Sequence, residues 1–69
     1  MFKYYIQTLG KMVPITSKEY EGYMIEEAID LGKTKTDAMR VIRENRQDAR
    51  ETGKNIFTLC FGAQVIIFY

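Results

Sequence analysis

The chain contains no histidine and no tryptophan, a single cysteine and a single proline. Without histidine it lacks the side chain best suited to moving protons near neutral pH, and the commonest metal ligand. Cys60 alone cannot close an internal disulfide, which agrees with a reducing compartment, and cannot supply a cysteine-based zinc or iron–sulfur site. No apolar run approaches the roughly 20 residues that span a bilayer. Met1-Phe2-Lys3-Tyr4-Tyr5 places polar and aromatic residues where a signal peptide carries continuous apolar sequence. The expectation is a cytoplasmic protein without membrane contact. An excess of charge of one sign is also missing. Lys and Arg number 10 against 9 Asp and Glu, a net charge of +1, so charge-driven binding has to come from local segregation.

What is present suits one small folded unit. A length of 69 residues sits near the lower limit for a single core, and a hydrophobic share of 46% is ordinary for a globular protein. The 5 tyrosines and 4 phenylalanines supply much surface to bury in a core or an interface.

Phe2 to Thr8 alternates, with Phe2, Tyr4 and Ile6 on one side and Lys3, Tyr5 and Gln7 on the other, which predicts a half-buried strand. Gly10-Lys11 fits a two-residue turn into a short strand, Met12-Val13-Pro14-Ile15. Pro14 lacks an N–H, so that strand belongs at an edge. Thr16 and Glu19 have capping-box spacing and open a helix that should run to about Leu31, where Gly32 stops it. Tyr20, Met24, Ala28 and Leu31 form its apolar stripe, Ile25 and Ile29 an adjoining one, and Glu19, Glu26 and Asp30 an acidic face. Thr34 and Asp37 repeat the cap for a second helix ending near Thr52, with Gly53 beyond. Ala38, Val41, Ile42 and Ala49 point inward there, with Asp37, Glu44, Asp48 and Glu51 on one flank and Arg40, Arg43, Arg46 and Arg50 on the other.

The closing stretch, Asn55 to Tyr69, is the most apolar. Gly62-Ala63 fits a two-residue hairpin turn, a register that puts Phe57, Leu59, Phe61, Ile66 and Phe68 on one face. Ile56, Thr58, Cys60, Val65, Ile67 and Tyr69 then share the other. Both faces are greasy, and two helices cover only one side of a small sheet, so the other side calls for a partner or a second copy. Residues 1–69 thus form a single α+β domain, a small two-layer sandwich. It comprises an N-terminal strand or hairpin, two helices and a C-terminal β-hairpin in a mainly antiparallel sheet.

No catalytic, cofactor or metal site is expected, and the chain is read as non-enzymatic. Cys60 falls in the predicted strand between Leu59 and Phe61 as a small core hydrophobe. Gly32-Lys33-Thr34 resembles the end of a phosphate-binding loop, but Glu27 stands where the motif needs its first glycine and a helix precedes it instead of a strand. Glu26 and Glu27 are adjacent on a helix and diverge by roughly 100°, which excludes a catalytic pair. Glu26 and Asp30 lie one turn apart, a spacing that could hold a hard cation weakly, but a solvated face is the favoured reading because hard-ion sites recruit more oxygen ligands.

The residues that could meet a partner are Arg40, Arg43, Arg46 and Arg50, whose guanidiniums suit phosphates or carboxylates, together with Tyr5. Solvation or pairing with helix carboxylates is the bland alternative for the arginines. Charge reversal at Arg43 and Arg46 is expected to spare the fold. Tyr23 is a second tyrosine expected near the surface.

From Met12 to Ile42 the chain resembles the ribbon–helix–helix family of DNA-binding repressors. The likeness lies in a short strand, a cap at Ser17, the run Ala28-Ile29-Asp30-Leu31-Gly32 and the joint Lys33-Thr34-Lys35-Thr36-Asp37-Ala38-Met39-Arg40. The resemblance implies a dimer that lays a two-stranded ribbon in the major groove, with Lys11, Val13 and Ile15 toward the bases and Tyr20, Met24, Ala28, Leu31, Met39 and Ile42 in the core. The residues themselves point first to a small interaction protein that docks on a protein partner or on itself as a homodimer. Its size would suit an accessory or inhibitory protein of viral or mobile-element type, and DNA binding by a repressor is the alternative.

Overall fold

The computed structural model describes Met1–Tyr69. Six elements follow one another: β1 (Lys3–Thr8), β2 (Lys11–Ile15), α1 (Ser17–Asp30), α2 (Lys35–Thr52), β3 (Lys54–Thr58) and β4 (Gln64–Phe68). The strands form one antiparallel sheet in the order β2-β1-β4-β3, so the first and last strands of the chain lie side by side at its centre. Both helices pack on one face, giving the two-layer α+β sandwich that the patterning predicts.

Local chemistry sets the helix ends. Thr16 Oγ1 accepts the Glu19 N–H at 3.0 Å while Glu19 Oε1 accepts the Thr16 N–H at 2.8 Å, and Thr34 with Asp37 repeats the exchange at 3.2 and 3.1 Å. Each cap satisfies backbone donors that a helix start would otherwise leave unpaired. The Thr34 backbone bond, joined by the Thr34 hydroxyl and Arg40, holds the Asp37 carboxyl below its usual range.

The two hairpin turns differ from their sequence-based placement. The first is Leu9-Gly10, with Thr8 paired to Lys11, and both turn residues have positive φ (48° and 78°), the mirror-image type I′ turn that follows strand twist. Lys11 therefore belongs to the strand. Pairs alternate between hydrogen-bonded and non-bonded along β1 and β2. Tyr5↔Pro14 then falls at a non-bonded pair, which turns the Pro14 nitrogen toward the free edge, where no ladder bond is lost.

The second turn is a three-residue loop, Cys60-Phe61-Gly62. Leu59 N–H donates to the Ala63 carbonyl at 2.8 Å and Gly62 N–H to the Leu59 carbonyl at 2.9 Å, with Gly62 at φ 95°. Its register pairs Phe57 with Val65 and Ile56 with Ile66, which overturns the expected face assignment. Asn55, Phe57 and Leu59 share the helix-covered face with Val65 and Ile67, whereas Ile56 and Thr58 share the open face with Ile66 and Phe68. A shift by an odd number of residues exchanges sides because side chains alternate with period two. Cys60 accordingly leaves the strand for an exposed loop and is no core hydrophobe.

The core joins Tyr4, Val65 and Ile67 from the central strands, Leu59 and Ala63 from the loop ends, Tyr20 and Met24 from α1, and Ile42 and Ala49 from α2. Leu31 and Ile29, expected on the apolar arc of α1, are instead 52% and 61% exposed. Leu31 caps the helix and Ile29 lies beyond the arc that the sheet and α2 cover.

Candidate functional site

The face of the sheet away from the helices is built from three cross-strand rows. The middle row runs Pro14, Tyr5, Ile66, Ile56 across the four strands. On one side of it lie Met12, Gln7, Gln64 and Thr58; on the other, Lys3, Phe68 and Lys54. Ile66 is buried by its lateral neighbours, Tyr5 and Phe68 are half-buried, and Met12 and Ile56 are 49% and 46% exposed. The Tyr5 and Phe68 rings stand edge to face, 5.6 Å between centroids. The helices pack on the other face, against Tyr4, Val65 and Ile67.

Tyr5 is thus on the open face, while the four arginines are on the opposite layer, where Arg43, Arg46 and Arg50 line one groove and Arg40 stands apart. Arg46 faces inward. Its Nε donates to the Tyr4 hydroxyl at 2.9 Å and its terminal nitrogen to Glu21 at 2.8 Å and Ser17 at 3.1 Å. Burial pushes the Arg46 guanidinium down, and the bonds to Glu21 and Tyr4 outweigh it, so the net displacement is upward. Charge reversal at Arg46 would set a carboxylate against Glu21, so the expectation that it spares the fold does not hold for this residue. Arg50 lies over the rings of Phe2 and Tyr69, at 5.5 and 5.8 Å. Arg40 is turned away from these two and pairs along its own helix with Asp37 and Glu44 at 3.6 and 4.0 Å. Arg43 is exposed and borders a shallow groove with Arg46, Gln47 and Arg50. Tyr23 is half-buried against the core.

Two polar residues outside the candidate set, Asn45 and Glu27, are buried. Asn45 donates to the Tyr20 hydroxyl at 3.1 Å, and burial, opposed by that bond and by Arg46, raises the Tyr20 phenol. Glu27, 8% exposed, accepts the Cys60 N–H with both carboxylate oxygens at 3.0 Å and lies 3.1 Å from Cys60 Sγ. The hydrogen bond to Glu27 raises the Cys60 thiol, with burial and the charges of Glu27 and Asp30 acting the same way. A thiol held protonated is a poor nucleophile. A signal for both residues existed: Asn45 falls on the stripe of Ala38, Ile42 and Ala49, and Glu27 on that of Tyr20, Met24 and Ala28.

The hollow between α1 and α2, lined by Met24, Ala28, Leu31, Ala38, Val41 and Phe57, has a volume of about 50 Å³, room for water but not for an ordinary substrate. Wider, open depressions of about 340 and 450 Å³ lie along Arg43, Arg46 and Arg50 and beside Lys3, Tyr5 and Pro14. No three Cys, Asp or Glu side chains converge as a metal-binding group. No helix is long and apolar enough to cross a membrane. Comparison with family models, with curated proteins and with solved structures gives no match. Geometry and chemistry therefore carry the functional argument.

Proposed function

We propose that the chain is a non-enzymatic interaction module that docks on a macromolecular partner through the open face of its sheet. One observation carries this reading: a row of Pro14, Tyr5, Ile66 and Ile56 crosses all four strands where the fold provides no cover. Isolated surface apolar groups are ordinary, but a contiguous cross-strand row is the pattern of a binding surface. Of the two sheet edges, β2 is blunted against unspecific strand addition, since the outward nitrogen of Pro14 carries no hydrogen.

The second reading is the ribbon–helix–helix repressor. What favours it is Val13, 49% exposed, with exposed Lys11 nearby on β2; against it, Ile15, the third position toward the bases, packs on the core and the set shares the face of Tyr4 and Ile6. It requires β2 of two chains to pair across the edge where Pro14 offers no donor.

Amide-shift mapping tests the choice of face. The chain is titrated against itself, against an acidic amphipathic peptide and against oligonucleotides. Perturbations centred on Tyr5, Ile56, Ile66 and Phe68, abolished by Ile56→Lys with the fold retained, are expected. Perturbations confined to the Arg43–Arg50 groove or to β2, or none with any titrant, would overturn the reading.

A further inference from the structure

The charges of this molecule are divided between its layers. All 9 acidic residues lie on helices, with Glu19, Glu21, Glu26, Glu27 and Asp30 in α1 and Asp37, Glu44, Asp48 and Glu51 in α2. The strands carry Lys3, Lys11 and Lys54 and no carboxylate. A near-neutral chain thus presents a sheet with cations only. On the open face the cations are also placed in register. Lys3 pairs with Phe68 and Phe68 with Lys54, so one aromatic ring on a central strand stands between two exposed lysines. Tyr5, on the other central strand, packs edge-on against that ring at 5.6 Å. Beyond Ile66, the far row supplies Gln7, Gln64 and Thr58, side chains that both donate and accept hydrogen bonds.

We infer that the open face binds a short single-stranded nucleic acid, with Lys3 and Lys54 on phosphates, Phe68 and Tyr5 against bases, and Gln7 and Gln64 at base edges. This deepens the docking role proposed above and rests on it. Aromatic rings between cations are the recurring means of holding single strands, because every base has a face to stack and every nucleotide a negative charge. The interplanar angle of 79° between the rings sets consecutive bases at different tilts, which suits an unpaired, splayed strand rather than a duplex. An acidic peptide meets the same lysines, but its apolar side chains need a pocket, and the rings of Tyr5 and Phe68 are in direct contact with Ile66, 3% exposed, beside them, which leaves none. A second copy meeting this one sheet to sheet would bring only further cations to a face whose strands carry no carboxylate.

Fluorescence anisotropy of labelled single strands of roughly eight nucleotides, within the span that one small sheet covers, tests this. Binding is expected at about 50 mM salt and should weaken about sevenfold by about 200 mM, the response to two neutralised phosphates. Phe68→Leu should weaken it roughly 5- to 150-fold, the range for one lost stacking contact. Because Phe68 is half-buried, Lys3→Gln with Lys54→Gln provides a second variant at exposed positions, expected to keep the melting temperature and flatten the salt response. No binding of any single strand at low salt by the folded chain overturns the inference, as does binding that the lysine pair leaves unchanged. Duplex DNA bound more tightly than the single strand, with loss in Lys11→Glu, also overturns it in favour of the ribbon. If only the acidic peptide binds, or only self-association appears in sedimentation, and Ile56→Lys abolishes it, the nucleic acid is wrong while the docking face survives. A strict monomer that binds none of these removes both.

Discussion

Ile66 and Ile67 are neighbours in β4, and both are almost fully buried, at 3% and 0% exposure, yet they are buried by different means. Ile67 lies under the helices, in a row with Tyr4 and Asn55. Ile66 is hidden only by lateral neighbours, chiefly Tyr5 and Phe68, on a face that meets solvent. Two tyrosines make the same contrast. Tyr4 bonds through its hydroxyl to Arg46, whereas Tyr5 rests against Phe68 and its hydroxyl finds no partner in the chain. A covered face is thus recognised by polar tips that end on the opposite layer, and greasiness alone does not distinguish it from an open one.

The strongest way to break this comparison is to truncate both faces. Ile67→Ala should destabilise the fold by about 2–5 kcal/mol, a large part of the stability of so small a domain, whereas Ile56→Ala should change it by no more than about 0.5 kcal/mol. Urea unfolding reads both; equal losses would mean that the open face is structural core. Next come the arginines. Arg46→Glu should cost about 1–3 kcal/mol by repelling Glu21 and leaving Tyr4 unpaired, a figure discounted for partial solvent screening, while Arg43→Glu stays within about 0.5 kcal/mol. Similar midpoints for the two variants would dissolve the distinction between inward and outward cations. A subtler readout is iodoacetamide labelling of Cys60 near neutral pH, expected to be slow because Glu27 keeps the thiol protonated and to accelerate in Glu27→Gln. An unchanged rate would mean that the carboxylate does not hold the loop. The smallest effect belongs to Leu9, fully exposed with φ 48° in the type I′ turn. Leu9→Asn should raise stability by about 0.5–1 kcal/mol, since asparagine tolerates that conformation better. A loss on that substitution would show that the exposed leucine makes a stabilising contact.

Much of this architecture was legible in the residue pattern, and the parts that were not share a cause. Both capping boxes could be read because Thr16 with Glu19, and Thr34 with Asp37, interact within one turn. The apolar stripes of Tyr20, Met24 and Ala28, and of Ala38, Ile42 and Ala49, follow from helical period alone. The C-terminal hairpin was legible as a hairpin, but its loop was misplaced. Gly62 fits the first position of a two-residue turn but is the last residue of a three-residue one, and an apolar pattern on both faces leaves nothing in the strands to fix the register. Of the candidate partner residues, Tyr5 was read on the side opposite Tyr4, where it stands. The lysines beside Phe68 were invisible because Lys3, Lys54 and Phe68 are far apart in the chain and meet only through strand pairing.

The order of elements, the helix limits and the alternation of β1 follow from interactions spanning four residues or fewer, and such short-range preferences are written directly into neighbouring residues. Which apolar face the helices cover, that Arg46 points inward while Arg43 does not, and that all the acid sits on one layer opposite a lysine-flanked ring depend on contacts between distant segments. Those are decided when the strands take their register and the helices choose a side, because burial is a property of the packed layers and not of any one stretch of chain.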